Sequence, residues 1–580
     1  MQSTFGPTPE LMSSVRKTIN REGDRGTGME NWLDDQMDPT RTPSISLLKL
    51  TKVADLQEAS FYPEDNFRLR SHNLRHGWWV MAAKGSDHLR QRVAFALSQI
   101  FIISTKDSLI NNRHYGAAHF YDMLSEGAFG SYRELLEGVT MHPIMGHYLS
   151  HLRNQKDVLN EDGNVLVSPD ENFAREIMQL FSIGLVERHP DGTIQLNRQG
   201  LPISTYDQND ITELARVMTG MSFSKRNIPR NSHIVRQNTR FNYGNGNRVF
   251  QDQWIHPMRF FEGFHDQAEK TLVGGHQTKA FQGGEKDLHD ALDALATHPN
   301  TAPFISRLLI QRLVTSNPSK AFVYRASQVF SESQGNLGEV VRTILLDPEA
   351  RSLEMAQRVD AGKQKEPIIR YLALCRALNV KSQLPLAELT QFGYPKTELA
   401  KFPDGTSQYR MGNTDTRLSQ TPQGAPTVFN WFLPDFTVSG PLAAAGLVAP
   451  EFQVTTESQV INSANAHYTL VFNRKGQGGV RLPDQDSAND DNMIPDLTAY
   501  SDLLKIAEAN NATEDEKAAL LVDFTDLLLA GGNLKTSSQE KIGRTSRQIM
   551  IEAVAATSKK NKVATAIYLF ITSPEYIFQK

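Results

Sequence analysis

Apolar residues recur at helical spacing along most of this chain, and no other feature of the sequence constrains its fold as strongly. A helix with one apolar stripe must bury that stripe against a neighbour. The spacing predicts helices over Pro9–Arg21, Met29–Gln36, Leu89–Ile103, Ala117–Ser125 and Tyr132–Val139. It predicts more over Asp287–Ala296, Phe304–Val314, Tyr324–Glu332, Leu337–Leu346 and Ile368–Leu378, then over Leu497–Ala509, Asp515–Leu529, Ser537–Ala556 and Val563–Thr572. Gly127, Gly184 and Gly220 stand where C-caps stop helices, and Pro143, Pro169 and Pro303 stand near helix starts. Strand signals are sparse. The expected fold class is mainly α: a large multi-helical assembly with long irregular loops and a small β-hairpin insertion.

Loops and composition shifts suggest six segments. These are an N-terminal helical and extended segment (1–86), a core helical bundle (87–221) and an irregular insertion with a hairpin (222–284). A second helical region (285–379), a loop-rich crossover (380–495) and C-terminal helices (496–580) follow. Asn-Gly and Gly-Asn pairs within Phe241–Phe250 favour the hairpin turn. Asp484, Asp486, Asp490 and Asp491 lack EF-hand spacing and read as a solvated acidic loop. Val340–Glu349 and Val563–Glu575 echo one another, each a helix running into a small residue, Pro and Glu.

Composition removes several functions. The chain has 580 residues, 39% hydrophobic and 22% charged, enough apolar material for a sizeable core. Lys and Arg number 61 against 65 Asp and Glu, a net charge of −4. That balance argues against gripping nucleic acid by neutralising many phosphates. The single cysteine, Cys375, excludes an internal disulfide framework and a cysteine-rich metal cluster. It lies in the apolar stretch Tyr371–Leu378 and reads as a buried, inert thiol. No run approaches the roughly 18 apolar residues of a membrane span. Met1–Glu10 is polar and lacks the pattern of a signal peptide, so two readings stay open: a cytoplasmic chain, or a signal removed or lying upstream. Walker A, Gly-x-Gly-x-x-Gly, Gly-x-Ser-x-Gly and zincin patterns are absent.

Three groups carry candidate chemistry. In Ser168–Gly184, Ser168 and Glu171 have capping-box spacing, and Asn172, Arg175, Glu176 and Gln179 share one compact polar helix face. In Thr205–Gly220, Asp207 or Thr205 can cap a helix on which Glu213 and Arg216 adjoin. Such Glu/Arg pairs suit either a structural salt-bridge network or an anion-binding cleft. The third group is the histidines. His147 and His151 stand at i, i+4, a chelating spacing without a third ligand, and His142 precedes them. His265 and Asp266 form a polar group with Lys270, and His298 suits a helix end where an imidazolium meets the negative dipole.

Several stretches, taken in order, resemble the domain of unknown function 1800 family of bacterial proteins. They are Arg92–Phe101, Met141–Gly146, Pro169–Leu185, Glu213–Gly220, His265–Asp266 with Lys270, His298–Ala302, Thr427–Phe432, Ser439–Leu442 and Ala449–Phe452. The resemblance implies a mainly helical, often exported protein, hence a periplasmic or extracellular location. It also implies a sulfatase-like neighbour of the domain of unknown function 1501 family as partner. It draws attention to Arg175, Glu176, His142 and the His265–Asp266 pair.

Two function classes follow. One is an exported accessory or interaction protein that works with that partner or with an extracellular polymer, with Trp254, Phe260, Phe261, Trp431 and Phe432 as contacts. The other is a metal-assisted hydrolase of an anionic substrate. There Glu176, Arg175 and His142 act in catalysis, Arg216 and Lys270 hold the substrate, and His265 and Asp266 bind a divalent metal. The second reading requires these groups in one pocket.

Overall fold

The structure, a computed structural model, describes residues 4–8, 28–59, 71–224, 241, 251–358, 360–382, 414–472, 493–536, 540–541 and 544–579. The expected helix over Pro9–Arg21, the Asn-Gly turn within Phe241–Phe250 and the four aspartates from Asp484 to Asp491 lie outside these residues.

The fold is mainly α, with small two-stranded ladders. Local signals set the helix starts. Ser131 accepts a hydrogen bond from Glu134 N and opens Tyr132–Met141. Asp207 and Asp210 form a capping box at Gln208–Val217, as do Thr513 and Glu516 at Glu514–Ala530. Pro143 occupies the first turn of Pro143–Tyr148. The echo noted above has a common shape: helices Leu337–Leu346 and Lys562–Ile571 each run into a short turn opened by Pro348 or Pro574.

One apolar core runs from Phe5 to Tyr576. Helices Leu47–Ala59, His72–Lys84, His88–Ser98 and His114–Glu126 pack together at its N-terminal end. Trp78 sits there with no exposed surface, edge-on to Phe5 at 5.6 Å and to Trp79 at 5.4 Å. Helix Pro367–Ala377, buried along its whole length, packs on His72–Lys84 and on Glu514–Ala530, and so joins the two ends of the chain. Cys375 lies within it, buried as expected.

Some elements differ from the expectation. Helix Glu457–Phe472 lies inside the stretch read as a loop-rich crossover. The helix expected over Ser537–Ala556 begins at Ser546, after a ladder of Glu540–Lys541 with Arg544–Thr545. Within the insertion, Met221–Phe223 pairs with Met258–Phe260, and a hairpin joins Thr271–Leu272 to His276–Gln277. That hairpin turns through Gly274 and Gly275, both at positive φ. Among the described residues no helix is long and apolar enough to cross a membrane.

Candidate functional site

The structure brings Arg216, His265, Asp266 and Lys270 together. Arg216, in the last turn of Gln208–Val217, clamps Asp266 through two bonds, Nε–Oδ2 at 3.0 Å and Nη2–Oδ1 at 3.1 Å. Its Nη1 donates to Glu213 Oε1 at 2.7 Å. The His265 ring lies between Thr219 O, 2.9 Å from Nδ1, and Asp287 Oδ2, 3.1 Å from Nε2. Lys270, with no exposed side-chain surface, donates to Asp287 Oδ2 at 2.6 Å and to the carbonyls of Asp266 and Ala268 at 2.8 Å each. Gln282 donates to the other Asp287 oxygen at 2.7 Å. Gly220, at φ +84°, lets the chain pass against His265. The pairing of Glu213 with Arg216 was legible in the sequence. Asp287, the hub between His265 and Lys270, was not, because a first-turn aspartate is an ordinary helix feature.

Each polar group in this network already has a partner. Both ring nitrogens of His265 face oxygen acceptors, and both Asp266 oxygens hold Arg216, so a metal at these two residues would have to compete with those bonds. Among the described residues no group of three His, Cys, Asp or Glu could hold a metal ion.

Burial raises the pKa of Asp266, but bonds from Arg216 and Ala268 outweigh it, and the carboxyl ends below its ordinary 3.8. In Asp287 burial is likewise outweighed, by hydrogen bonds from His265 and Lys270 and the Lys270 charge. A folded pKa below the unfolded one gives stability that is present above the unfolded value and is lost as pH falls through the folded one. Acid titration followed by circular dichroism should therefore show an unfolding component below the ordinary value of 3.8 that Asp287→Asn diminishes. An identical acid curve for the variant would contradict this account.

Among the described residues, Glu176 and Arg175 make no hydrogen bond or ion pair with this network. Helix Asn172–Gln179 buries Phe173, Ala174, Ile177 and Met178. The expected capping box is not formed: Asp170 Oδ1 accepts from Asn172 N at 2.8 Å, which leaves Ser168 free of that duty. Glu171 instead accepts from Gln208 Nε2 and Thr212 Oγ1, and this ties the two helices together. Glu176 is buried, its Oε2 has no hydrogen-bond partner, and burial raises its pKa against the lowering effect of Arg175. Arg175 itself is part-exposed, 3.4 Å from Glu171.

His142 is the N-cap of Pro143–Tyr148. Its Nδ1 accepts from Ile144 N at 3.2 Å, so the ring proton sits on Nε2 and is donated to His119 Nδ1 at 3.0 Å. Burial, then the His119 charge, lowers the His142 pKa well below its ordinary value. No hydrogen bond or ion pair links Glu176 or Arg175 to His142, or either of these to His265 or Asp266, among the described residues.

Two other histidine expectations are corrected. The helix stops at Tyr148, and the intended chelate is split: His147 faces Asp107 at 3.3 Å, and His151 bonds Thr140 O at 2.8 Å over the Phe173 ring. His298 does sit at a helix end, but burial lowers its pKa and its Nδ1 accepts from Asn300 N, the behaviour of a neutral ring. Among the expected contact aromatics, Trp254 and Phe432 are buried, and Phe260, Phe261 and Trp431 are partly so.

A second charged centre was not anticipated. Arg92 and Gln99 meet Gln311 and Arg312 of helix Thr301–Leu313, with Lys363, Glu366 and Glu451. Lys363 Nζ lies 2.8 Å from Glu451 Oε1, and Gln99 and Gln420 both donate to Glu366 Oε2. The Arg312 guanidinium stacks 4.6 Å from the Phe432 ring centre. Three of the stretches that carry the family resemblance therefore converge here, through Arg92 and Gln99, Phe432 and Glu451. The signal was present in those motifs, but helical spacing assigns Arg92 and Gln99 no partner.

Fold and sites together define a mainly α-helical protein built around two buried charge networks. The chain belongs to the family described as Protein of unknown function (DUF1800), which matches residues 1–578. No curated protein and no solved structure matches it.

Proposed function

We propose that this chain is an exported accessory protein that docks a sulfatase-like partner of the domain of unknown function 1501 family. The observation that carries this reading is an outward apolar arm. Strands Val158–Leu159 and Val165–Val167 pair, and all five side chains are exposed, Leu166 by 64% and Leu159 by 55%. A two-stranded ribbon normally covers one face. Beyond helix Asn172–Gln179 a second irregular ribbon, knit by bridges such as Arg188 to Ile194 and Leu196 to Pro202, exposes Leu185, Ile194, Leu196 and Leu201. Exposed apolar surface on shaped backbone suits a protein interface. The hydrolase reading is not carried forward, since its candidate ligands His265 and Asp266 already bond Asp287 and Arg216, and among the described residues no hydrogen bond joins Glu176 to either.

The test is binding of the purified partner by isothermal titration calorimetry. Leu159→Asp with Leu166→Asp is expected to weaken binding at least about tenfold, the loss of two apolar anchors at an interface. The melting temperature should stay unchanged, because both residues are exposed. Equal affinity for wild type and variant, or no binding by either, would overturn the reading.

A further inference from the structure

The second charged centre continues into a buried polar seam. On one side run Lys363, Gln364, Glu366 and Arg370; on the other run Glu451, Gln459, Ser463 and His467. Gln364 Nε2 donates to Thr455 Oγ1 at 2.7 Å, and the His467 ring lies 5.5 Å from that of Tyr371, so the two sides stay together along their length. Gln459, Ser463 and His467 stand at i, i+4 and i+8, one stripe of helix Glu457–Phe472, and none exceeds 4% exposure.

Two properties of this seam are unusual. The first is unmet hydrogen bonding. Both side-chain polar atoms of Gln459, the Ser463 hydroxyl and His467 Nε2 have no partner, and neither do Arg370 Nε and Nη2. Nε and Nη2 are the parallel edge of a guanidinium, the pair that grips an oxyanion with two bonds. The second is charge. Among the described residues, three buried cations, Arg92, Arg312 and Lys363, face two buried carboxylates, Glu366 and Glu451, while buried Arg370 has Lys365 and the Tyr576 phenol as its charged or titratable neighbours besides His467. Water can satisfy hydrogen bonds, but it does not offset an uncompensated buried guanidinium, which cannot shed its proton.

We propose that the Arg370 end of the seam binds a small oxyanion of the sulfate, phosphate or carboxylate class, held by the free edge of Arg370 with Ser463 and His467. Burial and the Arg370 charge lower the His467 pKa to about 3, so the ring beside the guanidinium is neutral. A surface cleft abuts the seam. Thr315 and Gly362 line the cleft and clasp each other at 3.0 Å, while their neighbours Ser316 and Lys363 contact Glu451 inside.

The test uses the full chain in two measurements. Ion chromatography of acid-denatured protein reads a resident anion. Thermal unfolding with sodium sulfate or phosphate, against chloride at equal ionic strength, reads a titratable one. The expected result is about one equivalent of released oxyanion, or a saturable rise in melting temperature, either of them lost in Arg370→Gln. Ser463→Ala, which keeps every charge, should fold as wild type and bind about tenfold more weakly, the effect of one hydrogen bond to a charged group. No released oxyanion together with no saturable shift would overturn the proposal. So would equal stabilisation of wild type and both variants, the mark of general salt exclusion.

Discussion

Replacing Asp287 by Ala should cost about 3–5 kcal/mol of folding stability, the penalty for stripping one partner from a buried ion pair. Lys270 would keep its carbonyl partners, but its enclosed ammonium would be left with only the more distant Asp266 carboxylate at 3.8 Å, itself clamped by Arg216, and His265 Nε2 and Gln282 would each lose an acceptor. The measurement is urea unfolding followed by tryptophan fluorescence. Asp287→Asn should fall between the wild type and the alanine variant, since it retains an acceptor and loses only the charge. Adding Lys270→Met to Asp287→Ala should recover part of the loss, because both charges are then gone. A loss below about 1 kcal/mol would mean that the pair behaves as an exposed salt bridge and that the network does not hold the fold.

Gly220→Ala is the second large effect. The residue sits at φ +84°, and a Cβ there would lie 2.8 Å from His265 Cβ and 3.0 Å from its Cα and N. The left-handed backbone costs an L-residue about 1–2 kcal/mol, and overpacking costs about 1–3 more. Two of these atoms are backbone and the third is the Cβ fixed to it, so they cannot simply swing away. We expect a loss of about 2–5 kcal/mol by urea unfolding, against only the backbone cost of about 1–2 kcal/mol for Gly163→Ala, where φ is also positive but nothing lies within 4 Å. Equal losses at the two positions would show that dihedral strain alone decides, and that the contact with His265 contributes nothing.

These two positions also show what a sequence discloses. Helices with one apolar face, such as Tyr132–Met141 and Leu337–Leu346, follow their periodicity closely. His72–Lys84 escaped because nearly every residue from Asn73 to Ala83 is buried, so no stripe contrasts with a wet face. Glu457–Phe472 escaped for the opposite reason: its inward stripe is Gln459, Ser463 and His467, which reads as polar loop. Arg216, His265, Asp266 and Lys270, which the sequence singled out, do converge in one network. Their roles were not legible, because whether a carboxylate is free or clamped depends on a partner 50 residues away, as Asp266 is from Arg216. Glu176 and His142 were grouped with them through the family resemblance, and among the described residues no hydrogen bond joins either to that network.

The second charged centre carries a consequence for the order in which the molecule forms. Arg92 reaches Arg312 across 220 residues, Gln99 reaches Glu366 across 267, and Gln579 closes over Leu313 across 266. Synthesis is vectorial, so the segment bearing Arg92 and Gln99 emerges long before Glu366 and Glu451 exist. Until then these polar groups must stay hydrated, and the faces that carry them cannot be sealed. Closing such distant contacts is slow. The middle of the molecule is therefore the last part to dry out, and the N-terminal helices must wait, assembled but open, for the rest of the chain.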